Sequence, residues 1–307
     1  MSEISVLSPA SVANVVCGFD CLGFALSAPC DEMTLRIIEK KIVRIVNRDD
    51  FNLPTEPEKN VAGAALLSML SMIDGNFGFE VEITKHIKPG SGIGSSAASA
   101  AGAVVAANEL LNERFSKLEL VEFAMDGEQV ASGARHADNV APCVFGGFTL
   151  VRSVNPIDVI RLDFPPMFVT VVHPQIEIKT SEARKILPKQ VSLTDAVRQW
   201  SNVGALVSGL QKGDYELISR SLEDFIVEPV RKNLIPKFDE IKNESLKAGA
   251  LGGGISGSGP SVFMLSETSV TAQKVKNAMR GIYSKTAIDF NIYVTEINAE
   301  GVKTLDS

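Results

Sequence analysis

The pattern of hydrophobic and polar positions predicts a first half in which short strands are followed by helices. Near the start of the chain, strand character is found in ISVLS, LGFALSA and MTLRIIE. The later segment FEVEITKHI alternates polar and apolar residues with the period of a half-buried strand. Helices are predicted for NVAGAALLSMLSMI and for the alanine-rich SSAASAAGAVVAANELLNE. A strand, a glycine-rich turn and a helix therefore follow one another between residues 79 and 113.

The second half contains a similar mixture. Strands are predicted for MFVTVVHP, VFML and FNIYVTEI, the last of which is expected to end the fold. Helices are predicted for VSLTDAVRQWSNVGALVSGL, DYELISRSLEDFIVEP, IPKFDEIKNESLKAGA and a stretch near residues 269–280. Trp200 shares the helical period of Val197 and Val203, so we expect it to be packed. A chain of 307 residues suits two domains, which we place at residues 1–155 and 156–307.

Composition and charge narrow the functional class. A hydrophobic fraction of 45% with 22% charged residues is typical of a globular protein. The net charge of −7 argues against a nucleic-acid surface, because phosphate binding favours a basic face. The four cysteines are few for this length and form no C-x-x-C motif, so we expect reduced thiols. The sequence has neither a signal-peptide pattern nor an apolar segment of membrane-spanning length, and it predicts a cytoplasmic protein that does not bind membranes.

The segment PGSGIGSSAASAAG, residues 89–102, contains much backbone and little side chain. It suits a flexible linker, a helix-packing seam or a cradle of amide groups for an anion. It is not a Walker A motif, because no lysine stands between the glycines and Ser95. It also fits the Rossmann fingerprint poorly, since the third glycine and the acidic partner are missing. Free amides at a helix start nevertheless favour an anion by about 0.3 to 1 kcal/mol. The loop alone does not decide between a helix-packing seam and a cradle of amide groups.

A carboxylate follows the apolar stripe of the next predicted helix. Ser116 and Glu119 form a capping box that predicts the helix start. The stripe comprises Leu118, Val121 and Met125, and Glu128 occupies the next position. A lone carboxylate there would cost on the order of several kcal/mol unless it is paired or bound to a metal. Two explanations for Glu128 at this position are an ion pair with a lysine and a metal site.

Four stretches, in this order, resemble the motifs of the GHMP small-molecule kinases: SPASVANVVCGFDCLGFAL, PGSGIGSSAA, EQVASGARHADNVAPCVFGG and LGGGISGSGPSVFML. Within that superfamily, PASVAN with GFD, and RHADNVAP, are most similar to homoserine kinases. The resemblance implies an α+β fold with an N-terminal domain like ribosomal protein S5 and a ferredoxin-like C-terminal domain. It also implies ATP and Mg²⁺ as cofactors and L-homoserine as a substrate phosphorylated for threonine synthesis. Because family members are often dimers, we expect a homodimer.

The resemblance assigns the nucleotide and metal contacts. Asn60 and Val61 match the region that borders the adenine, and the metal ligands match Ser96 and Glu128. Mg²⁺ commonly keeps several waters and takes one or two protein ligands plus phosphate oxygens, so this sparse set is chemically reasonable. The third glycine motif is expected to fold against the phosphate loop. That loop corresponds to Pro89, Gly90, Ser91, Gly92, Ile93, Gly94, Ser95, Ser96 and Ala97.

The resemblance also assigns a site for a zwitterion. Arg184 and Arg231 match carboxylate-binding arginines, whose planar fork suits that group, and Thr180 lies in the same segment as Arg184. The amino group is expected near Asp20 and Asp138, and the reacting hydroxyl near Asn14 and Asn139. His136 is expected either to shape the substrate pocket or to be structural. Without the resemblance, the arginines would be interpreted as solvated helix residues and Asp20 as a turn residue.

The expected mechanism lacks a side-chain base. Mevalonate kinase and several other relatives have an aspartate that could accept the alcohol proton, where this chain has Asn139, and an amide is not a base. In a loose phosphoryl-transfer transition state, positioning and charge neutralisation can supply most of the rate. Catalysis is therefore expected from Mg²⁺, the loop amides and alignment by Asn139, with the proton leaving late, to phosphate.

Two other functions compete with homoserine phosphorylation. One is a GHMP kinase that acts on another small alcohol such as mevalonate, and the other is a ligand-binding relative without catalysis. Two arginines and two aspartates fit a zwitterion better than a substrate with only a carboxylate. The presence of Ser96, Glu128 and Asn139 argues against the loss of catalysis.

Overall fold

The computed structural model describes residues 2–305, apart from the side chain of Ser132, and over this range the chain forms two β-sheets covered by helices. The strands are β1 Glu3–Ala13, β2 Leu22–Ile38, β3 Val43–Asn47, β4 Gly78–Thr84, β5 Phe148–Val154, β6 Ile157–Leu162, β7 Phe168–Pro174, β8 Gly252–Ile255, β9 Val262–Ser266, β10 Phe290–Glu296 and β11 Lys303–Leu305. The α-helices are α1 Val61–Ser71, α2 Ser95–Leu110, α3 Lys117–Ser132, α4 Val140–Phe145, α5 Thr180–Lys185, α6 Leu193–Lys212, α7 Tyr215–Ser221, α8 Glu228–Arg231, α9 Phe238–Lys247 and α10 Ser269–Tyr283.

The first sheet has the order β11-β1-β2-β4-β3, with β5 paired to β2 and β6 paired to β5. Its pairs are antiparallel except β3 with β4. The second sheet is antiparallel, in the order β10-β7-β9-β8. The chain therefore changes sheets between Leu162 and Phe168 and returns to the first sheet with β11. The domain boundary at residue 155 stays a prediction.

The N-terminal strands are longer than their hydrophobic patterns indicate. LGFALSA and MTLRIIE belong to one strand, β2, because β1 continues to pair with the polar residues between them, for example Ser8 with Asp31. β3, β6, β8 and β11 were not predicted, and β11 rather than FNIYVTEI ends the fold. These strands are short, and exposed residues in β3, β6 and β11 interrupt their patterns.

Helices α1, α2 and α3 cover one face of the first sheet. The alanines of α2 are buried on every side of the helix, and Gly102 lies so close to the first sheet that a Cβ would come within 2.9 Å of Ser8 Cβ. Protein interiors are close-packed, so side chains larger than those of alanine and glycine would not fit at these positions. The alanine segment is therefore a packing seam, as one of the sequence interpretations proposed.

The predicted cap of α3 is confirmed, and its stripe is confirmed in part. Ser116 and Glu119 form the capping box. Val121 and Met125 are buried, but Leu118 is 38% exposed, so the stripe begins one turn later than predicted. Gly127 lets α3 approach α1, since a Cβ there would lie 2.3 Å from the carbonyl oxygen of Val61. That close approach brings Glu128 to the start of α1 and α2.

An aromatic cluster joins the two sheets. The ring of Phe24 in β2 lies 4.7 Å from that of Phe148 in β5 and 5.6 Å from that of Phe263 in β9, measured between centroids. All three side chains are fully buried. Each contributes about 1.5–3 kcal/mol of transfer free energy. The cluster fixes the two sheets relative to each other and so fixes the cleft above their junction.

Two helix predictions in the second half are wrong in part. Trp200 is 57% exposed, because the inward position of α6 is taken by Gln199, which donates to Cys17 O and Asp224 Oδ1. The helix predicted over DYELISRSLEDFIVEP ends at Ser221. Beyond that end, Asp224 accepts hydrogen bonds from backbone amides, including those of Val227 and Glu228, where α8 begins.

Two composition-based expectations concern the described part of the chain. The cysteines Cys17, Cys21, Cys30 and Cys143 are free thiols, as predicted. Over residues 2–305, no helix combines the length and apolar character needed to cross a membrane.

Candidate active site

The glycine loop connects β4 to α2 with left-handed backbone. Gly92 and Gly94 have φ of +82° and +68°, a region that favours glycine. A Cβ on Gly92 would lie 2.5 Å from the carbonyl oxygen of Gly259, and one on Gly94 would lie 2.0 Å from Ser11 Oγ. Gly94 is the N-cap of α2, and no side chain caps this helix. The first amides of a 16-residue helix are therefore presented without a side-chain acceptor.

The third glycine motif packs on this loop, as the family resemblance implies. Ser256 Oγ donates to the carbonyl of Gly92 over 2.7 Å, and Ser261 Oγ donates to that of Ser91 over 2.6 Å. The amide of Ser256 in turn donates to Ser261 O. Because both hydroxyls bind carbonyl groups of the loop, they do not occupy its backbone amides.

A buried ion pair supports the loop from the sheet side. Lys85 Nζ donates to Asp31 Oδ2, to the carbonyl of Ser95 over 2.9 Å and to Ser99 Oγ over 2.7 Å. The side chains of Lys85 and Asp31 are 2% and 0% exposed. The three donors of the ammonium group thus have three acceptors. The pair ties the first turn of α2 to strands β2 and β4.

One cleft brings most of the predicted site residues together. It has a cavity volume of about 390 Å³ and lies between the glycine loop, α3 and the segment that contains α5 and α8. Ser91, Ile93 and Ala97 do not line it, since their side chains are buried beneath the loop. The predicted residues that do line it are Asn14, Asp20, Asn60, Val61, Pro89, Gly90, Gly92, Gly94, Ser95, Ser96, Glu128, His136, Asp138, Asn139, Thr180, Arg184 and Arg231.

Ser96 and Glu128 meet in the wall of the cleft. A side-chain hydrogen bond joins them, and Glu128 is 8% exposed. Burial raises the pKa of Glu128 to about 7, opposed by this hydrogen bond and by the charge of Lys85. A carboxylate and a hydroxyl are both hard oxygen donors of the type that Mg²⁺ prefers. The two predicted metal ligands are therefore adjacent in space, although 32 positions separate them in the sequence.

A second set of residues that line the cleft is rich in charged groups. Arg184 forms a bidentate pair with Asp20, with distances of 2.9 Å from Nη1 to Oδ2 and 2.8 Å from Nη2 to Oδ1. Arg231 is 2% exposed and donates from Nε to Ala183 O and from Nη1 to Gly257 O, each over 3.1 Å. Burial lowers the pKa of Arg231, and the charge of Arg184 lowers it further. A buried cation that binds only carbonyls suits an anionic ligand.

Three further groups lie around these arginines. Nδ1 of His136 lies 4.0 Å from Asp20 Oδ1, and burial lowers the pKa of the imidazole. Burial raises the pKa of Asp138 to about 7, and the charge of Asp20 adds to this rise. Thr180, at the start of α5, has its hydroxyl 3.3 Å from that of Ser258.

The two asparagines differ in their surroundings. Asn139 Oδ1 accepts a hydrogen bond from Ser11 Oγ over 2.9 Å, which fixes its amide plane. Asn14 has φ of +60°, and its side chain accepts from the amide of Asp20 and donates to Gly257 O. Asn14 therefore holds together the loop that carries Asp20 and the third glycine motif.

Asn60 also has a structural role. Its Oδ1 accepts hydrogen bonds from the amides of Ala62 and Gly63, so it caps α1, and Nδ2 donates to Pro54 O. Such a cap is worth about 1 kcal/mol. Val61 follows it at the rim of the cleft, beside Leu53.

Sequence reasoning missed several residues of the site. Asp31 and Lys85 carry no motif, and only the strand pairing of β2 with β4 brings them together. Ser11 lies in the first motif but was given no role. Phe19, within GFD, has the guanidinium carbons of Arg184 and Arg231 over its ring, at 5.4 Å and 5.1 Å from the ring centroid. The sequence signal that could have identified Phe19 was its position in the GFD motif, between Gly18 and Asp20.

Comparisons with known proteins agree with this geometry. The profile of the GHMP kinase N-terminal domain matches residues 60–147, and that of the C-terminal domain matches residues 206–285. The chain is 44% identical to the homoserine kinase of Chloroherpeton thalassium, covering 99% of this chain and 100% of that protein. It is 40% identical to the homoserine kinase of Xanthomonas campestris pv. campestris, covering 99% and 95%.

Solved structures lead to the same family. The crystal structure of homoserine kinase from Cytophaga hutchinsonii has a TM-score of 0.95 and 49% identity, covering 99% of this chain and 98% of that one. Mevalonate kinase of L. major, in complex with R-mevalonate, has a TM-score of 0.73 at 16% identity, covering 97% and 99%, and shares the fold. The two-domain α+β fold predicted from the four motifs is confirmed. The chain belongs to the homoserine kinase family of the GHMP kinases.

Proposed function

We propose that the protein transfers the terminal phosphoryl group of ATP to the side-chain hydroxyl of L-homoserine, forming O-phospho-L-homoserine and ADP. The observation that carries this proposal is the composition of the main cleft. It is lined by the glycine loop with Ser96 and Glu128, and also by two arginines and two aspartates. A phosphate site and a site that suits a small zwitterion therefore share the same cleft.

The charged residues of the cleft support recognition of an amino acid. A zwitterion brings an ammonium group for Asp20 or Asp138 and a carboxylate for Arg184 or Arg231. The bidentate pair between Arg184 and Asp20 shows that these side chains already lie at hydrogen-bonding distance. Homoserine would exchange that internal pair for its own two charges, so neither charged side chain would be left unpaired.

The glycine loop would bind the phosphates of ATP through backbone amides. The left-handed glycines precede a helix start without a side-chain cap, and the helix dipole adds to the attraction of its first amides for an anion. Pro89 and Gly90 form the rim of this loop at the cleft. Asn60 and Val61, with Leu53 and Pro54 beside them, would border the adenine.

The residues present fit a magnesium ion. Ser96 and Glu128 supply two oxygen donors in mutual contact. Among the described residues, no group of three or more His, Cys, Asp or Glu side chains could enclose a metal, so phosphate oxygens and water would complete the coordination. When bound, Mg²⁺ would neutralise charge on the phosphate oxygens.

The residues around the reacting hydroxyl favour alignment over proton abstraction. The bond from Ser11 Oγ occupies Oδ1 of Asn139 and holds its amide plane in one orientation. The Nδ2 donors of Asn139 would then orient the substrate hydroxyl. Neither Asn139 nor Asn14 can act as a base, so the hydroxyl proton would leave late in a loose transition state, to phosphate. Holding the reactants in line supplies most of the acceleration in such a reaction.

A panel of alcohols tests the substrate. ADP release is measured with ATP, Mg²⁺ and, separately, L-homoserine, mevalonate, galactose and shikimate. We expect release with homoserine only. Release with mevalonate alone would favour the alternative of a GHMP kinase for another small alcohol, and no release with any compound would favour a ligand-binding relative. The homodimer and the cytoplasmic location stay predictions, and sedimentation of the purified protein tests the first.

A further inference from the structure

We infer that Phe19 is a positioning residue: its ring forms a platform that holds the two arginines of the carboxylate site in their binding arrangement. The inference rests on the proposed function, because it concerns the recognition of the substrate carboxylate. The residue belongs to the GFD motif, of which only Asp20 has a role so far.

The first observation is that one ring contacts two cations. The guanidinium carbon of Arg231 lies over the ring of Phe19 at 5.1 Å from its centroid, and that of Arg184 lies over it at 5.4 Å. Both distances fall within the range in which the negative face of a ring attracts a cation. Two like charges are thereby brought close together, although burial and, after it, the charge of Arg184 lower the pKa of Arg231.

The second observation is that Arg231 forms no direct ion pair with a described residue, although the more distant charges of Asp20, Asp224 and Asp138 partly oppose the burial that lowers its pKa. Over residues 2–305, no carboxylate lies within 4 Å of its guanidinium nitrogens, and its hydrogen bonds go to the carbonyls of Ala183 and Gly257. A carboxylate in place of the ring would neutralise Arg231 and compete with the ligand. A ring stabilises the cation without supplying a competing anion.

The third observation is that Phe19 stands outside the main cleft. It is not one of the residues that line the cleft of about 390 Å³, but it lines a small adjoining cavity together with Arg231. The ring therefore lies outside the cleft in which the substrate is proposed to bind. Its loop is fixed by the bond from the Asp20 amide to Asn14 Oδ1. Phe19 would act through the arginines and not by touching the substrate.

The chain offers a matched control. Phe225 has the guanidinium carbon of Arg198 over its ring at 3.8 Å from the centroid, and neither residue lines the main cleft. Phe225→Leu therefore removes the same type of contact without affecting the carboxylate site. Phe19→Tyr keeps an aromatic face at the platform, whereas Phe19→Leu removes it.

The experiment measures kcat/KM at saturating ATP with L-homoserine and with 3-aminopropan-1-ol, which lacks the carboxylate. We expect Phe19→Leu to lose about tenfold with homoserine, equivalent to about 1.4 kcal/mol. With 3-aminopropan-1-ol it should stay within about twofold of wild type, because the arginines then have no ligand to bind. Phe19→Tyr and Phe225→Leu should stay within about threefold of wild type with both substrates.

The outcomes separate the inference from the proposed function. No turnover of homoserine by the wild-type protein contradicts the proposed function. An active wild type with equal losses for both substrates in Phe19→Leu, or with no loss for either, overturns the platform and leaves the function intact. If Phe19→Leu does not fold, Phe19→Tyr decides: activity near wild type supports the platform, and a large loss with both substrates overturns it.

Discussion

Replacing Lys85 by methionine tests how the phosphate loop is held. The substitution keeps an unbranched apolar chain of four heavy atoms and removes the ammonium group that binds Asp31, the carbonyl of Ser95 and Ser99 Oγ. Asp31 would keep its hydrogen bonds from the amides of His86 and Ile87, at 2.8 Å and 2.9 Å. It would nevertheless be an uncompensated charge in a fully buried position.

The expected loss is large because both partners are buried. Breaking a buried ion pair by removing one partner costs about 3–5 kcal/mol, whereas replacing both partners costs far less. We therefore expect Lys85→Met to lower the free energy of unfolding by about 3–5 kcal/mol, and the double variant Asp31→Asn with Lys85→Met to recover part of it. The exposed pair of Arg152 and Asp158 provides the control. Arg152→Met should cost less than about 1 kcal/mol.

Urea unfolding followed by circular dichroism measures these differences. Steady-state kinetics then separates the effects on the two substrates. The KM for ATP should rise in Lys85→Met more than the KM for homoserine, because Ser95 and Ser99 lie near the start of α2, directly after the phosphate loop. If Lys85→Met is no more destabilising than Arg152→Met, the ion pair does not hold the loop and the reasoning is refuted.

Three further variants test other parts of the site. Glu128→Gln keeps the side-chain size and removes the charge offered to the metal, so turnover should fall roughly a hundredfold with the fold intact; full activity would exclude Glu128 as a ligand. Gly92→Ala places a Cβ 2.5 Å from Gly259 O and should raise the KM for ATP. Its control, Gly204→Ala, has open space around the added Cβ and should be neutral or slightly stabilising. Equal effects of the two substitutions would contradict the close approach at Gly92. The pKa of Asp138 rises from 3.8 to about 7, so its ionisation destabilises the folded state as pH increases over this interval. Asp138→Asn should therefore gain stability over wild type from pH 4 to pH 7, by at most about 1.4 kcal/mol per pH unit, and a difference independent of pH would be inconsistent with this shift.

The sequence predicts the fold well where pattern and motif coincide. The strand at 78–84, the glycine turn and α2 follow in the predicted order, and the capping box of α3 is present. Prediction failed where tertiary contacts decide. Trp200 is in phase with its apolar neighbours, yet Gln199 is turned inward because it binds Cys17 O and Asp224. A periodicity argument has no access to such a partner.

The candidate site divides in the same way. The motif resemblance predicted most of the residues that line the cleft, including Ser96 and Glu128. It could not identify Lys85 and Asp31, whose contact depends on the register between β2 and β4. It also gave no reason to expect that Asp20 and Arg184 bind each other over 2.8 Å and 2.9 Å. That pair depends on the approach of α5 to the loop after β1, and no local pattern encodes it.

Phosphorus NMR of a reaction mixture tests the central claim most directly. Purified protein is incubated with ATP, Mg²⁺ and L-homoserine, and the resonances are followed with time. Phosphoryl transfer to homoserine predicts that a phosphomonoester signal grows in equal amount with ADP as the terminal phosphate of ATP disappears. Appearance of inorganic phosphate without a phosphomonoester, or no change at all, would contradict the claim.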